Sequence, residues 1–315
     1  MRTELRVGTR KSALALWQTR YVIRLLTEAY PQRAWELKEV PISTVGDRRL
    51  EQALHTFGGK GAFTEELEAQ LRDGRIDFAV HSLKDMPTQP AAGTVIGAIP
   101  VRASAADAWV ANGNCRLRDL PQGARVGTSS LRRVAQLKRL RSDIFCVSIR
   151  GNVQTRLGKL DGEVDAVILA EAGLVRLGLD KVITHRLLDA TDWLPAAGQG
   201  AVAVQCRADD TEILSLLQAV HDTQTAQAVG AERAFLGALE GGCQVPVGAY
   251  ACHRDGMLHV SGVLLSLRGD AAVHKTVCGT PSAYAELGQQ LAASVLADGG
   301  RAIWEEVRST LEAKV

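Results

Sequence analysis

Two stretches hold the residue types best suited to chemistry. In Glu240-Gly241-Gly242-Cys243-Gln244-Val245-Pro246 a cysteine follows two glycines and precedes a proline by three residues. Such backbone must turn and cannot continue a helix, so Cys243 is expected on a loop with an accessible sulfur. The other cysteines read differently. Cys146 lies within an apolar run and Cys206 ends one, and both are expected as buried strand residues; Cys252 and Cys278 lie near strand-like runs, and Cys115 sits in a polar loop. No C-x-x-C pair occurs, which argues against a zinc or thioredoxin-type site. The second stretch, Phe78-Ala79-Val80-His81-Ser82-Leu83-Lys84-Asp85-Met86-Pro87, is an apolar strand that breaks at a proline. It brings a hydroxyl, an ammonium and a carboxylate to the strand end. Adjacent Lys84 and Asp85 could form an ordinary surface ion pair. Facing a cleft, an ionised Asp85 would instead stabilise a developing cation. At about 4 Å and an effective dielectric near 20, that is worth on the order of 4 kcal/mol.

These residues must be held by strands and helices, and an internal repeat indicates how. Arg6-Val7-Gly8-Thr9-Arg10-Lys11-Ser12 recurs as Arg125-Val126-Gly127-Thr128-Ser129-Ser130, a strand ending in a Gly-Thr turn. Helical patterns follow: Leu14, Leu16, Trp17, Tyr21 and Leu25 in the first copy, Leu131, Val134, Leu137 and Leu140 in the second. Asp73-Gly74 leading into Phe78-Ala79-Val80 recurs as Asp161-Gly162 leading into Ala166-Val167-Ile168. The offsets are 119 and 88 residues, so the first copy carries extra chain, assigned to a polar, Gly-rich loop at about 43–63. Two related α/β domains are expected, the first with a long loop able to cover a cleft. Each Gly-Thr turn opens a helix, where free N–H groups and hydroxyls meet the positive end of the helix dipole. Helix capping alone accounts for such turns in many proteins. Here both are flanked by cations, Arg10 and Lys11 in one copy and Arg132 and Arg133 in the other, with Arg150 and Arg156 close behind. Paired anion sites predict a polyanionic ligand between the two domains.

Composition narrows the class. At 315 residues, 46% hydrophobic and 23% charged, the chain suits two or three globular domains. Its apolar runs are strand-sized, so no membrane span is expected. The start lacks a signal-peptide core, and six scattered cysteines fit a reducing cytoplasm. Of 37 basic residues 28 are arginine, a side chain that grips carboxylates bidentately. Basic residues are not interleaved with aromatics, which argues against nucleic acid. Gly58-Gly59-Lys60-Gly61 is not a P-loop, the histidines show no H-x-x-x-H pair, and no metal site is expected.

Taken together, Gly8-Thr9-Arg10-Lys11-Ser12, Gly58-Gly59-Lys60-Gly61, His81-Ser82-Leu83-Lys84-Asp85-Met86-Pro87, Gly127-Thr128-Ser129-Ser130-Leu131-Arg132-Arg133, Arg150-Gly151-Asn152, Gln199-Gly200-Ala201 and the Cys243 stretch closely resemble the porphobilinogen deaminase (hydroxymethylbilane synthase) family. The resemblance runs in order from about Arg6 to Tyr250 and continues loosely beyond. It implies a transferase of tetrapyrrole biosynthesis. Such enzymes join four porphobilinogen molecules, with loss of ammonia, into linear 1-hydroxymethylbilane, primed on a dipyrromethane cofactor bound by a thioether to a cysteine, here Cys243. By the same resemblance Asp85 holds the pyrrole N–H and stabilises the azafulvenium cation. Ser12, Lys84, Thr128, Ser129, Ser130, Arg132, Arg133, Ala170 and Gly173 are implied at the cofactor. Arg10, Lys11, Gln18, Ser82, Arg150, Arg156, Arg176 and Gln199 are implied at the substrate, and Asp47, Lys60 and Phe63 in the lid.

The fold that the resemblance implies is α/β, with two periplasmic-binding-protein-like domains flanking a cleft and a small C-terminal α/β domain carrying the cysteine. Domain 1 would span 1–100 and 194–217, domain 2 104–193, and domain 3 220–315. One departure is Thr56, where many relatives carry lysine; Arg48 and Arg49 could supply the charge. A cytoplasmic monomer is expected. Two other classes stay open. A non-enzymatic cleft protein for an anionic solute leaves Cys243 without a reason. A cysteine-nucleophile transferase needs a nearby base, and His253 has no evident partner.

Overall fold

The computed structural model describes residues 2–48, 63–189, 192–239 and 245–313. Cys243, Lys60, Thr56, Arg49 and the side chains of Asp47 and Arg48 lie outside the described residues. In chain order the elements begin with β1 (Glu4–Arg10), α1 (Ala13–Ala29), β2 (Glu36–Ile42), α2 (Val45–Arg48), α3 (Glu65–Arg72), β3 (Phe78–Ser82) and β4 (Thr94–Ala98). Next come β5 (Asp107–Ala111), β6 (Arg125–Gly127), α4 (Leu131–Leu140), β7 (Phe145–Val147), α5 (Val153–Leu157), β8 (Ala166–Ala170), α6 (Glu171–Arg176) and β9 (Arg186–Leu188). The chain continues with β10 (Val202–Arg207), α7 (Thr211–Leu217), α8 (Thr223–Ala238), β11 (Val247–Arg254), β12 (Met257–Leu265), β13 (Ala272–Gly279), α9 (Tyr284–Val295) and α10 (Arg301–Glu312).

Two five-stranded sheets have the same topology. The orders β2-β1-β3-β10-β4 and β7-β6-β8-β5-β9 correspond strand for strand, each with a parallel trio and one antiparallel strand entering from the far part of the chain. The repeat seen in the sequence is thus a repeat of the fold. Its Asp-Gly turns match as well: Gly74 and Gly162 both have positive φ, +66° and +98°, which a side chain would strain. β3 and β8 begin with four consecutive buried residues because helices cover both faces of their sheets.

The strand exchange ties the sheets together. The chain leaves the first sheet after β4 to supply β5 of the second, and returns after β9 to supply β10 of the first. The two crossings touch where Ala103 N donates to Gly200 O at 3.2 Å. A Cβ on Gly200 would lie 2.4 Å from Ser104 O, so only glycine permits this approach. The third part is the meander β11-β12-β13, packed on α8, α9 and α10 around Phe235, Val260 and Leu291. Fully buried Glu232 of α8 accepts from Arg102 Nη1 at 2.6 Å, Gly198 N at 2.7 Å and Ala251 N at 2.8 Å. It joins both crossings to the meander, and removing such a partner typically costs about 3–5 kcal/mol.

Three sequence expectations are corrected. The buried stripe of α1 is Ala15, Gln18, Thr19, Val22 and Leu26, not Leu14, Leu16, Trp17, Tyr21 and Leu25. Trp17 lies on the flank, where its ring stacks on Tyr21 and under the Arg176 guanidinium of α6. In α4 the buried set includes Arg132, Arg133 and Gln136, while Leu140 is 57% exposed. Buried polar partners, described below, outweigh the apolar pattern. Cys146 is only partly buried because β7 is an edge strand; Cys206, on the interior strand β10, is buried as expected and its thiol is pushed up to about 11 by that burial.

Candidate active site between the repeated sheets

The C-terminal end of β1 and the N-terminus of α1 form one wall of an open cavity. Arg10, Ser12, Gln18, Phe63, Ser82 and Asp85 line it. Ser12 caps α1 by accepting from Ala15 N at 3.3 Å, so its hydroxyl serves the helix. The Arg10 guanidinium stacks 4.2 Å from the centre of the Phe63 ring. Gln18 donates to Ser82 Oγ at 2.9 Å, fixing the end of β3. A short turn, Leu83–Asp85, follows β3 and leaves the Asp85 carboxylate exposed at the cavity rim, while Leu83 is fully buried and anchors the turn. Behind it lies His81, buried, whose Nε2 meets no partner. Burial, with the Arg10 charge adding to it, lowers the imidazole to about 4 against the raising influence of Gln205, so His81 is neutral near pH 7.

The matching turn of the second sheet is built around a buried carboxylate. Asp107 opens β5 and is 0% exposed. It binds Arg132 Nη1 at 2.8 Å, Arg133 Nη2 at 2.7 Å, Trp193 Nε1 at 2.8 Å and Gln199 Nε2 at 2.8 Å. Burial alone would raise its carboxyl, but Arg132 and Arg133 override that and hold it far below the usual carboxylate range. The arginines also donate to backbone, Arg132 to Leu194 O and Arg133 to Ile168 O, both at 2.8 Å. Ser130 caps α4 by accepting from Arg133 N at 3.4 Å, and Ser129 donates to Ile149 O at 2.5 Å.

The chain's relatives agree on one chemistry. Residues 5–215 match the family described as porphobilinogen deaminase, dipyromethane cofactor binding domain, and residues 226–297 match porphobilinogen deaminase, C-terminal domain. The porphobilinogen deaminase of Desulforudis audaxviator is 49% identical over 310 residues, 98% of this chain and 99% of that protein. The chain belongs to the porphobilinogen deaminase family. A second relative, from Xanthomonas campestris pv. campestris, is 47% identical over 306 residues, 97% of this chain and 100% of its own. Among solved structures, the periplasmic VFT2 domain of Bordetella pertussis BvgS covers 69% of this chain and 86% of its own length at 16% identity and TM-score 0.43.

A porphobilinogen deaminase requires a site for dipyrromethane, whose pyrroles bear carboxylates. The donor set here fits such a group. Arg132 Nε and Arg133 Nε are buried N–H donors with no partner, an arrangement that costs energy unless a ligand accepts from them. Lys84 adds an ammonium, lowered by burial to about 8 against the raising influence of Asp85 and Asp107, with Arg133 and Arg132 lowering it further. Its Nζ donates to Gln199 Oε1 at 3.2 Å, so it is oriented toward the second sheet rather than held in a surface pair with Asp85. Arg156 donates its Nε to Gly151 O at 2.9 Å, and its guanidinium is lowered by burial and by Arg133 and Arg150, with Asp85 opposing. These cations and the Asp85 carboxylate therefore share one electrostatic neighbourhood.

Other expected residues lie differently. Gln199 is 1% exposed, with both amide atoms engaged by protein. Arg176 is buried, donates to Gly200 O at 2.7 Å and is lowered by burial to about 10, with Tyr21 opposing. Lys11 is exposed, Arg150 half-buried, Thr128 buried with its Oγ1 accepting from Ser130 N, Ala170 at the end of β8 and Gly173 buried within α6. Sequence reasoning missed Asp107 and Trp193. A lone aspartate opening the apolar run Asp107-Ala108-Trp109-Val110-Ala111 was the available signal. Among the described residues no group of His, Cys, Asp or Glu could hold a metal ion, and no helix is long and apolar enough to cross a membrane.

Proposed function

We infer that this chain joins four porphobilinogen molecules head to tail, releasing ammonia at each step, to give 1-hydroxymethylbilane for tetrapyrrole biosynthesis. The observation that carries the site assignment is an exposed carboxylate, Asp85, at the rim of a cavity that Arg10 also lines, with the Arg156 guanidinium near enough to feel its charge. When bound, dipyrromethane supplies a nucleophilic pyrrole carbon as the primer, linked through a thioether to Cys243. Arg132, Arg133 and Lys84, with Thr128, Ser129 and Ser130 near the start of α4, hold its carboxylates. Arg10, Arg156 and Arg150 receive the acetate and propionate of incoming porphobilinogen; Lys11 lies on the approach to them. Asp85 accepts a hydrogen bond from the substrate pyrrole N–H. As ammonia leaves, positive charge grows on that nitrogen, and the carboxylate stabilises it more than it stabilises neutral porphobilinogen. A lid role for Asp47, Lys60 and Phe63 belongs to the same reading.

The division into domains 1–100 with 194–217, 104–193 and 220–315, a monomeric state and a cytoplasmic location belong to the same proposal. Intact-protein mass tests it. Wild type is expected to carry a covalent adduct of dipyrromethane mass and Cys243→Ala none, with negligible activity. An adduct persisting in Cys243→Ala would move the attachment elsewhere.

A further inference from the structure

Asp107 has no capacity left for a ligand. Its two oxygens already serve two guanidiniums, an indole and an amide, and it is sealed from solvent. Gln199, which the sequence resemblance put at the substrate, is likewise committed. Its Nε2 donates to Asp107 Oδ1 at 2.8 Å, to Ala105 O at 2.7 Å and to Ala106 O at 3.3 Å. Three acceptors around the nitrogen fix the amide in one orientation, since a flip would set Oε1 against two carbonyls and a carboxylate. Oε1 must then face Lys84 Nζ, from which it accepts at 3.2 Å. Lys84 follows β3 of the first sheet, Asp107 opens β5 of the second, and Gln199 lies on the returning crossing between them.

We propose that Asp107 and Gln199 are the positioning pair of the anion clamp: Asp107 aims the two guanidiniums, and Gln199 carries that anchor across the cleft to the Lys84 ammonium. The proposal rests on the reading above in which Arg132, Arg133 and Lys84 hold the cofactor. One carboxylate binds the outer nitrogens of both arginines, which leaves their Nε groups as the unpartnered donors. Asp107 neutralises only part of the charge of Arg132, Arg133 and Lys84, so the cluster keeps a positive charge that suits carboxylates. The charged groups acting on Lys84 are Asp85, Asp107, Arg132 and Arg133, of which only the two aspartates favour the ammonium; Gln199 Oε1 favours it too, by accepting from Nζ.

The test uses Asp107→Asn and Gln199→Met in the full chain. Gln199→Met keeps the buried ion pairs, so it decides the matter if Asp107→Asn fails to fold. Two readouts are taken: the fraction of protein carrying the covalent adduct, by intact mass, and the Lys84 titration, by NMR of 13C-labelled lysine. Asp107→Asn is expected to lower the loaded fraction about tenfold, the scale at which residues that orient a ligand-binding side chain act elsewhere. Gln199→Met should lower it less. Both should move the Lys84 midpoint below its value of about 8, because each removes a group that favours the ammonium. A merely structural role for Gln199 would leave that midpoint in place in Gln199→Met. Lys84→Ala and Arg133→Leu separate the two layers of inference. If these two load normally, the cofactor assignment itself fails. If they lose the adduct while Asp107→Asn and Gln199→Met keep both adduct and midpoint, only the positioning role is overturned.

Discussion

The two repeated sheets share strand order and capped Gly-Thr turns yet carry opposite electrostatic designs. In the first, Arg10 lies half-buried over the Phe63 ring at a cavity wall, and Lys11 is exposed. At the matching place in the second, Ser129 and Ser130 replace them, and the cations have moved one turn into α4, where Asp107 locks them in the interior. The strand ends differ too. Asp85 follows β3, whereas the residue at the same offset after β8 is Gly173. One scaffold thus supports a rigid clamp, suited to a group that stays, and an open grip beside the exposed Asp85 carboxylate, suited to groups that pass through. Preorganisation is costly in desolvation, so it belongs where the ligand is permanent.

Asp85→Asn should break this asymmetry most severely. Losing about 3–4 kcal/mol of cation stabilisation predicts turnover lower by two to three orders of magnitude, measured as single-turnover ammonia release from adduct-carrying protein. A variant within a few-fold of wild type would remove the first sheet's chemical distinction. Arg133→Leu should cost about 3 kcal/mol of stability in urea unfolding, because it strands part of the Asp107 charge, and should leave the protein largely without adduct. Arg10→Leu should cost under about 1 kcal/mol and load normally, but stall chain growth, seen by native mass spectrometry. Similar behaviour of both would mean that the two grips are one.

A smaller effect follows from pH. Lys84 has a folded-state value near 8, below its ordinary 10.5. Its ammonium is therefore lost as pH rises through about 8, so retention of carboxylate ligands should weaken there. Stability should change in the opposite sense, because the cost of burying the ammonium is present below pH 8 and relieved between 8 and 10.5. Ligand binding and urea midpoints that moved together with pH would contradict this. The smallest effect is expected at the flank between the sheets: Trp17→Leu removes the Arg176 stacking and should cost about 0.5–1 kcal/mol, with loss of the corresponding indole emission.

Much of this architecture was readable from the chain. Gly74 and Gly162, the paired Gly-Thr turns and the excess of residues in the first copy pointed to a duplicated α/β unit, because turn chemistry and strand patterning are local. The helix faces were read less well. Leu14, Trp17 and Leu25 marked the helix α1, but its most buried stripe is Ala15, Gln18, Thr19, Val22 and Leu26, with Leu25 only partly buried. The burial of Arg132 and Gln136 was not readable, because a sequence shows a polar side chain without the buried partner that meets it.

Residue order alone determined the family, the strand-turn-helix units, the carboxylate at the end of β3 and the density of arginine around it, since each depends on neighbours within a few positions. Tertiary structure decided which cations are fixed and which are open. Asp107 stands 25 residues before Arg132 and 92 before Gln199, and nothing local links them. They meet only because β5 and β10 exchange sheets, bringing both crossings and the start of α4 to one point. There burial strips water from the charges, and the partner a group happens to face, rather than its type, settles its role.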